Sequence, residues 1–209
     1  MIHPHTKLEY ISDQVGFGVV AQQPIPKGTV TWVMSKLDRI FSPRQIRGMA
    51  SVYLPMIQKY SFRDSKGRYV LCWDYGRYVN HSFSPNCLTT AYDFEVAIRD
   101  IEVGEQLTNH YGYLNLEPMK LLTDNGNEEQ WVTKEDVLKH FPEWDDELRK
   151  ALKSSESVEQ PLSAFLNSRM RKVLKKLQKD PSKMVSIKTC YYEGGTTSKT
   201  SERKVEKQL

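Results

Sequence analysis

Arg77-Tyr-Val-Asn-His-Ser-Phe-Ser-Pro-Asn-Cys87 is the stretch whose reading decides the fold. It places Asn80, His81, Ser82, Ser84, Pro85 and Asn86 within seven positions. Such a run makes a poor helix or strand, because short polar side chains bond to nearby backbone in competition with regular ladders. Taken alone it is a polar loop with Asx turns, or a loop that presents hydrogen-bonding groups to a ligand. Its surroundings decide between the two.

Upstream lies Val15-Gly-Phe-Gly-Val-Val-Ala21. Two glycines flanking Phe17 at the start of a β-like run let backbone approach another group closely. No third glycine and no helix follow, so this is not a dinucleotide-binding fingerprint. Downstream lies Gly104-Glu-Gln-Leu-Thr-Asn-His-Tyr-Gly-Tyr113, a glutamate-led turn running into a short strand that ends Tyr-Gly-Tyr. A single tyrosine in such a place is more often packing than chemistry.

The rest of the chain supplies the frame. Leu8–Ile11, Gly18–Gln22, Thr29–Val33, Tyr69–Trp73 and Glu95–Arg99 are short runs rich in β-branched or aromatic residues, the mark of strands. Ser42-Pro43 predicts a helix running through Ile46 to Met56, with Ser42 as cap and Pro43 in the first turn. After Pro118 the pattern turns helical. Thr133-Lys-Glu-Asp136 resembles a capping box opening Val137–Phe141, a second helix is expected over Trp144–Leu152, and a third from Leu162 to Leu177. The third would bring Phe165, Met170, Val173, Leu174 and Leu177 to one face. The end, from Gly194, is rich in Gly, Thr, Ser and Lys and is expected to be a disordered basic tail.

Composition narrows the function classes. A hydrophobic fraction of 39% with 11 Tyr, 7 Phe and 4 Trp supports a packed core. Cys72, Cys87 and Cys190 are odd in number and scattered, which argues against a disulfide framework and for a reducing compartment. No signal-peptide pattern opens the chain, and no run of about 18 apolar residues occurs. The expectation is a soluble, intracellular protein with no membrane association. The net charge of +4 is concentrated in the C-terminal third. Nucleic-acid binding through the basic helix around Arg169–Lys179 is therefore conceivable but not favoured, because Lys and Arg on a helix are usually a solvated face.

In their order and spacing, the three motifs together resemble the SET-domain protein-lysine methyltransferases. The second motif is complete. The third departs by Gln106, where the family often has a second glutamate, and by Asn109-His110 before the tyrosine. The resemblance spans residues 5 to about 116. It implies a mainly β fold with a helical C-terminal extension (α+β), in which a C-terminal segment threads beneath another in a knot-like crossing. The implied layout is a SET domain over 5–116, an extension over 117–193 closing the cofactor and substrate site, and a tail over 194–209.

The same resemblance implies methyl transfer from S-adenosylmethionine to the ε-amine of a lysine in a protein substrate. Asn80 and His81 would hold the adenine and amino end of that cofactor, and Gly16, Phe17 and Gly18 would line its methionine portion. Tyr78 would stack near it, and Tyr111 would sit where the methyl leaves sulfur. Tyr113, two residues on, and Tyr75 are channel-wall candidates. His110 should point away from Tyr111 by strand alternation. Lysine attacks only as the neutral amine, which at neutral pH, roughly 3.4 units below the lysine pKa, lies about 4.6 kcal/mol above its ammonium in free energy. A narrow apolar channel and a neighbouring sulfonium both push that proton off. A general base is then unnecessary, and positioning carries much of the rate.

Two departures matter. Asn109 stands where many relatives have Phe or Tyr, which leaves the number of methyls added open. The cysteines lack CxC or CxxC spacing, so no structural zinc is expected, and Trp131 and Trp144 of the extension are the expected substitutes in closing the channel. The competing reading is a catalytically silent SET-fold module that binds basic peptides or nucleic acid. A metal hydrolase using His81, Cys87 and His110 fits no common ligand spacing. The sequence specifies no oligomeric state.

Overall fold

The computed structural model describes residues 1–194, so the tail expected over 194–209 lies, from 195 on, outside the described residues. The architecture is small β-sheets followed by helices. Strands β1 (Thr6–Ser12) and β2 (Gly16–Ala21) form an antiparallel pair with a bulge between Tyr10 and Ser12. Strand β3 (Val30–Val33) is followed by β4 (Arg39–Phe41), β5 (Ser61–Arg63), β6 (Tyr69–Leu71), β7 (Asn80–His81), β8 (Cys87–Thr89), β9 (Phe94–Ala97) and β10 (Thr108–Asn109). One three-stranded sheet runs β3-β9-β8 and another β4-β6-β5. The hairpin β11 (Met119–Leu122) and β12 (Glu129–Val132) leads into the extension. Among the described residues no helix is long and apolar enough to cross a membrane.

Four expectations about helices change. The helix begun at Ser42 is capped as expected, with Ser42 and Gln45 bonded reciprocally, but α1 covers only Pro43–Arg47. Gly48 ends it, and Pro55, which has no N–H to give a continuing helix, sits instead in the first turn of α2 (Leu54–Tyr60). The two helices expected over Val137–Phe141 and Trp144–Leu152 are one, α3 (Asp136–Ser154), which runs through Pro142. Burial of Val137, Trp144, Leu148, Ala151 and Leu152 along one stripe offsets the hydrogen bond that Pro142 forfeits. At its start the Thr133 N–H donates to Asp136 Oδ2 at 2.8 Å, half of the expected capping box. The last helix, α4 (Ser168–Lys179), begins six residues later than expected, because the extended Asn167 caps it by accepting from the Met170 N–H at 2.9 Å. Phe165 therefore falls outside the helix and is exposed, while Met170, Leu174 and Leu177 are buried.

The β-rich body and the helices share a core. Val30, Val33, Leu88, Phe94 and Val96 pack in one cluster with Val137, Trp144, Leu148, Leu152, Leu162 and Leu177. A polar staple reinforces it. The Val30 N–H donates to Gln160 Oε1 at 2.9 Å, while Gln160 Nε2 donates to the carbonyls of Gly28 at 2.9 Å and Ser155 at 3.1 Å. One side chain thus satisfies three main-chain groups drawn from the body and from the end of α3.

Candidate active site

Strand β7 contributes Asn80 and His81, and β10 contributes Thr108 and Asn109. The two pair in parallel, Asn80 opposite Thr108 and His81 opposite Asn109. This brings the second and third motifs side by side. Asn86 fixes the junction: its Nδ2 donates to the Gln106 carbonyl at 2.7 Å, and its Oδ1 accepts from the Thr108 N–H at 2.8 Å. Asp124, just beyond β11, clamps the polar loop by accepting from the Ser82 hydroxyl at 3.0 Å and the Phe83 and Ser84 N–H groups at 3.1 and 2.9 Å.

The first motif closes on the same place. Asn80 Nδ2 donates to Gln106 Oε1 at 2.9 Å and to the Phe17 carbonyl at 3.2 Å. A Cβ on Gly18 would lie 2.4 Å from Gln106 Oε1 and 2.9 Å from Asn80 Nδ2. The close approach for which that glycine is needed is therefore with these two side chains. Gln106, a departure from the family pattern, is part of this junction. Beside Gly16 a Cβ would meet nothing within 4 Å, so this edge is open. Phe17 is exposed and meets Tyr78 edge-on at 6.4 Å, with Tyr10 on its other side at 5.7 Å.

Tyr111 is held at both ends. Its N–H donates to His81 Nδ1 at 3.2 Å, and its hydroxyl donates to the Val79 carbonyl at 3.0 Å. Because His81 Nδ1 accepts, the ring proton resides on Nε2, which is buried and has no partner in the protein. Burial, helped by the neighbouring His110, lowers the His81 pKa to about 4, so the ring is neutral. Burial likewise raises the Tyr111 phenol to about 12.

Tyr111 also lines a cavity of about 360 Å³, together with Trp32, Glu95, Asn109, Tyr113 and Cys190. Glu95 is 5% exposed and Asn109 7%. Thr31 Oγ1 donates to one Glu95 oxygen at 3.2 Å and Asn109 Nδ2 donates to the other at 3.4 Å. Asn109 Oδ1 and Trp32 Nε1 are buried with no partner in the protein. Burial pushes the Glu95 pKa up to about 7.

Other expected residues fall elsewhere. Tyr75 is on the surface and does not line the cavity. Tyr78 meets Tyr60 edge-on at 5.3 Å, outside the cavity lining. Tyr113 does line it, but not by strand alternation, since Tyr111–Leu114 is a 3₁₀ turn, in which residues two apart do not share a face. Tyr113 is buried edge-on against Trp144 at 5.7 Å. His110 caps that turn through Nδ1, accepting from the Gly112 N–H at 3.1 Å, and its ring packs against His81 and Trp144. Trp131 is exposed on β12 and Trp144 lies behind His110, and neither is among the residues that line the cavity. The turn Ile187–Cys190 does contribute Thr189 and Cys190 to that lining, and it is tied down where Asn115 Nδ2 donates to the Cys190 carbonyl at 2.8 Å and Asn115 Oδ1 accepts from the Tyr192 N–H at 2.8 Å. Among the described residues no group of three or more His, Cys, Asp or Glu is placed to hold a metal ion.

Sequence reasoning passed over Glu95, Gln106, Asn115 and Asp124. Glu95 alone carried a legible signal, a lone acid inside the apolar strand Phe94-Glu-Val-Ala97.

Comparison with known proteins accords with this geometry. Residues 16–112 match the family model described as SET domain. The H3 lysine-36 specific histone-lysine N-methyltransferase of Mycosarcoma maydis is 30% identical over a stretch covering 48% of this chain and 11% of that protein. The chain thus spans about a ninth of that relative's length. A solved Plasmodium falciparum chain described as a candidate histone methyltransferase is 17% identical, with a TM-score of 0.38, over 53% of this chain and 95% of that one.

Proposed function

We propose an activity from the premise that this chain belongs to the SET-domain family through its residues 16–112: it transfers a methyl group from S-adenosylmethionine to the ε-amine of a lysine in a protein substrate. The observation that carries the proposal is the setting of Tyr111. The β7–β10 pair fixes its backbone through His81, the Val79 carbonyl fixes its hydroxyl, and its ring forms one wall of a cavity large enough for an extended alkyl side chain. The threaded crossing of the segments around β7 and β10 belongs to the same proposal, as does the division into a SET body over 5–116 and an extension over 117–193.

The residues present fit the cofactor. The open edge beside Gly16, the exposed ring of Phe17 with Tyr78 against it, Asn80, and the unpartnered His81 Nε2–H offer one flat apolar surface and several hydrogen-bonding groups. Such a set suits a molecule with a flat base at one end and an amino-acid group at the other. When bound, S-adenosylmethionine supplies an electrophilic methyl on a sulfonium. Gly16, Phe17 and Gly18 would border its methionine portion, and Asn80 and His81 its adenine and amino end.

Tyr111 orients rather than titrates. With its pKa near 12 it stays protonated, and its proton is committed to the Val79 carbonyl. The phenol oxygen keeps lone pairs that can hold an amine N–H in line for attack. Tyr111→Phe is therefore expected to lower methyl transfer by roughly 10²-fold, the usual cost of one preorganised polar group. Transfer of tritiated methyl from S-adenosylmethionine to a mixed protein extract measures it. Equal counts for wild type and variant would overturn the catalytic reading and leave a silent binding module.

A further inference from the structure

Glu95 is a buried carboxylate without a cation. It forms no ion pair among the described residues, and its hydrogen bonds come from the neutral groups of Thr31 and Asn109. A carboxylate left so far from water is costly unless something positive meets it. It borders the cavity that Tyr111 borders, the acceptor Asn109 Oδ1 beside it is also unpartnered, and Trp32, Tyr111 and Tyr113 are among the residues that line the same space. An anion, a free acceptor and three aromatic rings around one apolar space are what a cationic amine seeks: charge pairing, an N–H acceptor and π faces.

We infer that Glu95, with Asn109 beside it, receives the positive charge of the substrate's amine inside this cavity, so that the side chain is taken in as its ammonium. The inference rests on the lysine reading of the cavity and names the residue that selects for charge. Glu95 would be a specificity-determining residue, distinct from Tyr111, which orients the nitrogen. Its strand explains its placement. Strand β9 is central in β3-β9-β8 and buried along its whole length, so every side chain on it faces a packed layer or the cavity.

The neighbouring groups leave Glu95 as the one that titrates near neutrality. The Cys72 and Cys87 thiols and the Tyr113 phenol, which face it, are all pushed upward by burial and stay neutral. The charged groups among the lining residues are engaged elsewhere: Arg63 pairs with Glu117 and Asp64 with Arg68, while Lys59 lies over the Tyr60 ring and Arg77 over Tyr60 and Tyr78. Asp93 also borders the cavity, its carboxyl held somewhat above the usual range by burial.

The test uses n-butylammonium, which carries lysine's side-chain head group, and its neutral analogue n-butanol, titrated into the whole chain by NMR without any methyl transfer. Wild type should bind n-butylammonium at least tenfold more tightly at pH 8 than at pH 5.5, because Glu95 is charged only at the higher pH. Glu95→Gln should lose at least tenfold at pH 8 and show no pH dependence, with n-butanol binding changed less than twofold. The inference is overturned if Glu95→Gln binds n-butylammonium as wild type does, if both probes weaken alike, or if wild type does not bind the amine. Should Glu95→Gln fail to fold, the wild-type pH dependence decides alone. Since no step involves methyl transfer, this outcome is separate from that of Tyr111→Phe.

Discussion

A chain ended at Asn127 is expected to lose both its cooperative thermal transition and its binding of S-adenosylmethionine. The reason lies in the shared core. Val30, Val33, Leu88, Phe94 and Val96 of the body are covered by Val137, Trp144, Leu148, Leu152 and Leu162, all of which lie beyond the cut. Burying one large apolar side chain is worth about 1.5–3 kcal/mol, so losing five partners removes about 7.5–15 kcal/mol, as much as the roughly 5–15 kcal/mol that hold a typical domain folded. The polar side suffers too. Without Gln160 the Val30 N–H loses its acceptor, and without Trp144 the rings of His110 and Tyr113 lose their backing. Circular dichroism on heating and calorimetry with S-adenosylmethionine read the two losses. A truncated chain that melts sharply and still binds would show that the body stands alone.

Gly28→Ala should lower the melting temperature by roughly 6–12 °C, corresponding to about 3 kcal/mol in a chain of this size. Gly28 has φ +91°, which costs an L-residue about 1–2 kcal/mol. A Cβ there would also lie 2.6 Å from the Ala151 carbonyl oxygen and 2.7 Å from the Ser155 nitrogen, main-chain atoms at the end of α3 that cannot swing aside. Gly104→Ala is the control. Its φ is +84° but nothing lies within 4 Å of the added carbon, so it should show the conformational part alone. Equal melting temperatures for the two variants would mean that the end of α3 yields to the new methyl.

The strands and the three motifs were legible because their signals are local. The strand expected over Glu95–Arg99 falls on β9, and Ser42 before Pro43 marks the start of a helix. Helix limits were less so. Two helices are expected over Val137–Phe141 and Trp144–Leu152, and the buried stripe on both sides of Pro142 joins them into one. The site divides in the same way. His81 and Tyr111 are joined through a backbone hydrogen bond, and it is the family resemblance that implies their meeting. Trp131, expected with Trp144 to help close the channel, faces solvent because β12 belongs to a two-stranded hairpin. Asn115 clamps a segment 75 residues away, and Asp124 reaches back 42 residues to Ser82. Contacts over such separations leave no periodic trace in the sequence. Glu95 was within reach, since a lone acid in an apolar strand needs a reason.

The Gln160 staple also sets a schedule. Val30 and its acceptor are 130 residues apart. At a synthesis rate of about 5–20 residues per second, roughly 7–26 s pass between the two leaving the ribosome's catalytic centre. Throughout that interval the Val30 N–H has no acceptor, although Met1 and His3 pair with the rest of that edge of β3, and the apolar side chains of Val30 and Val33 have no helix over them. Pausing in the codons between β10 and α3 would lengthen the time for which this apolar surface stays uncovered. Slower translation there should raise aggregation without altering the stability of the finished protein.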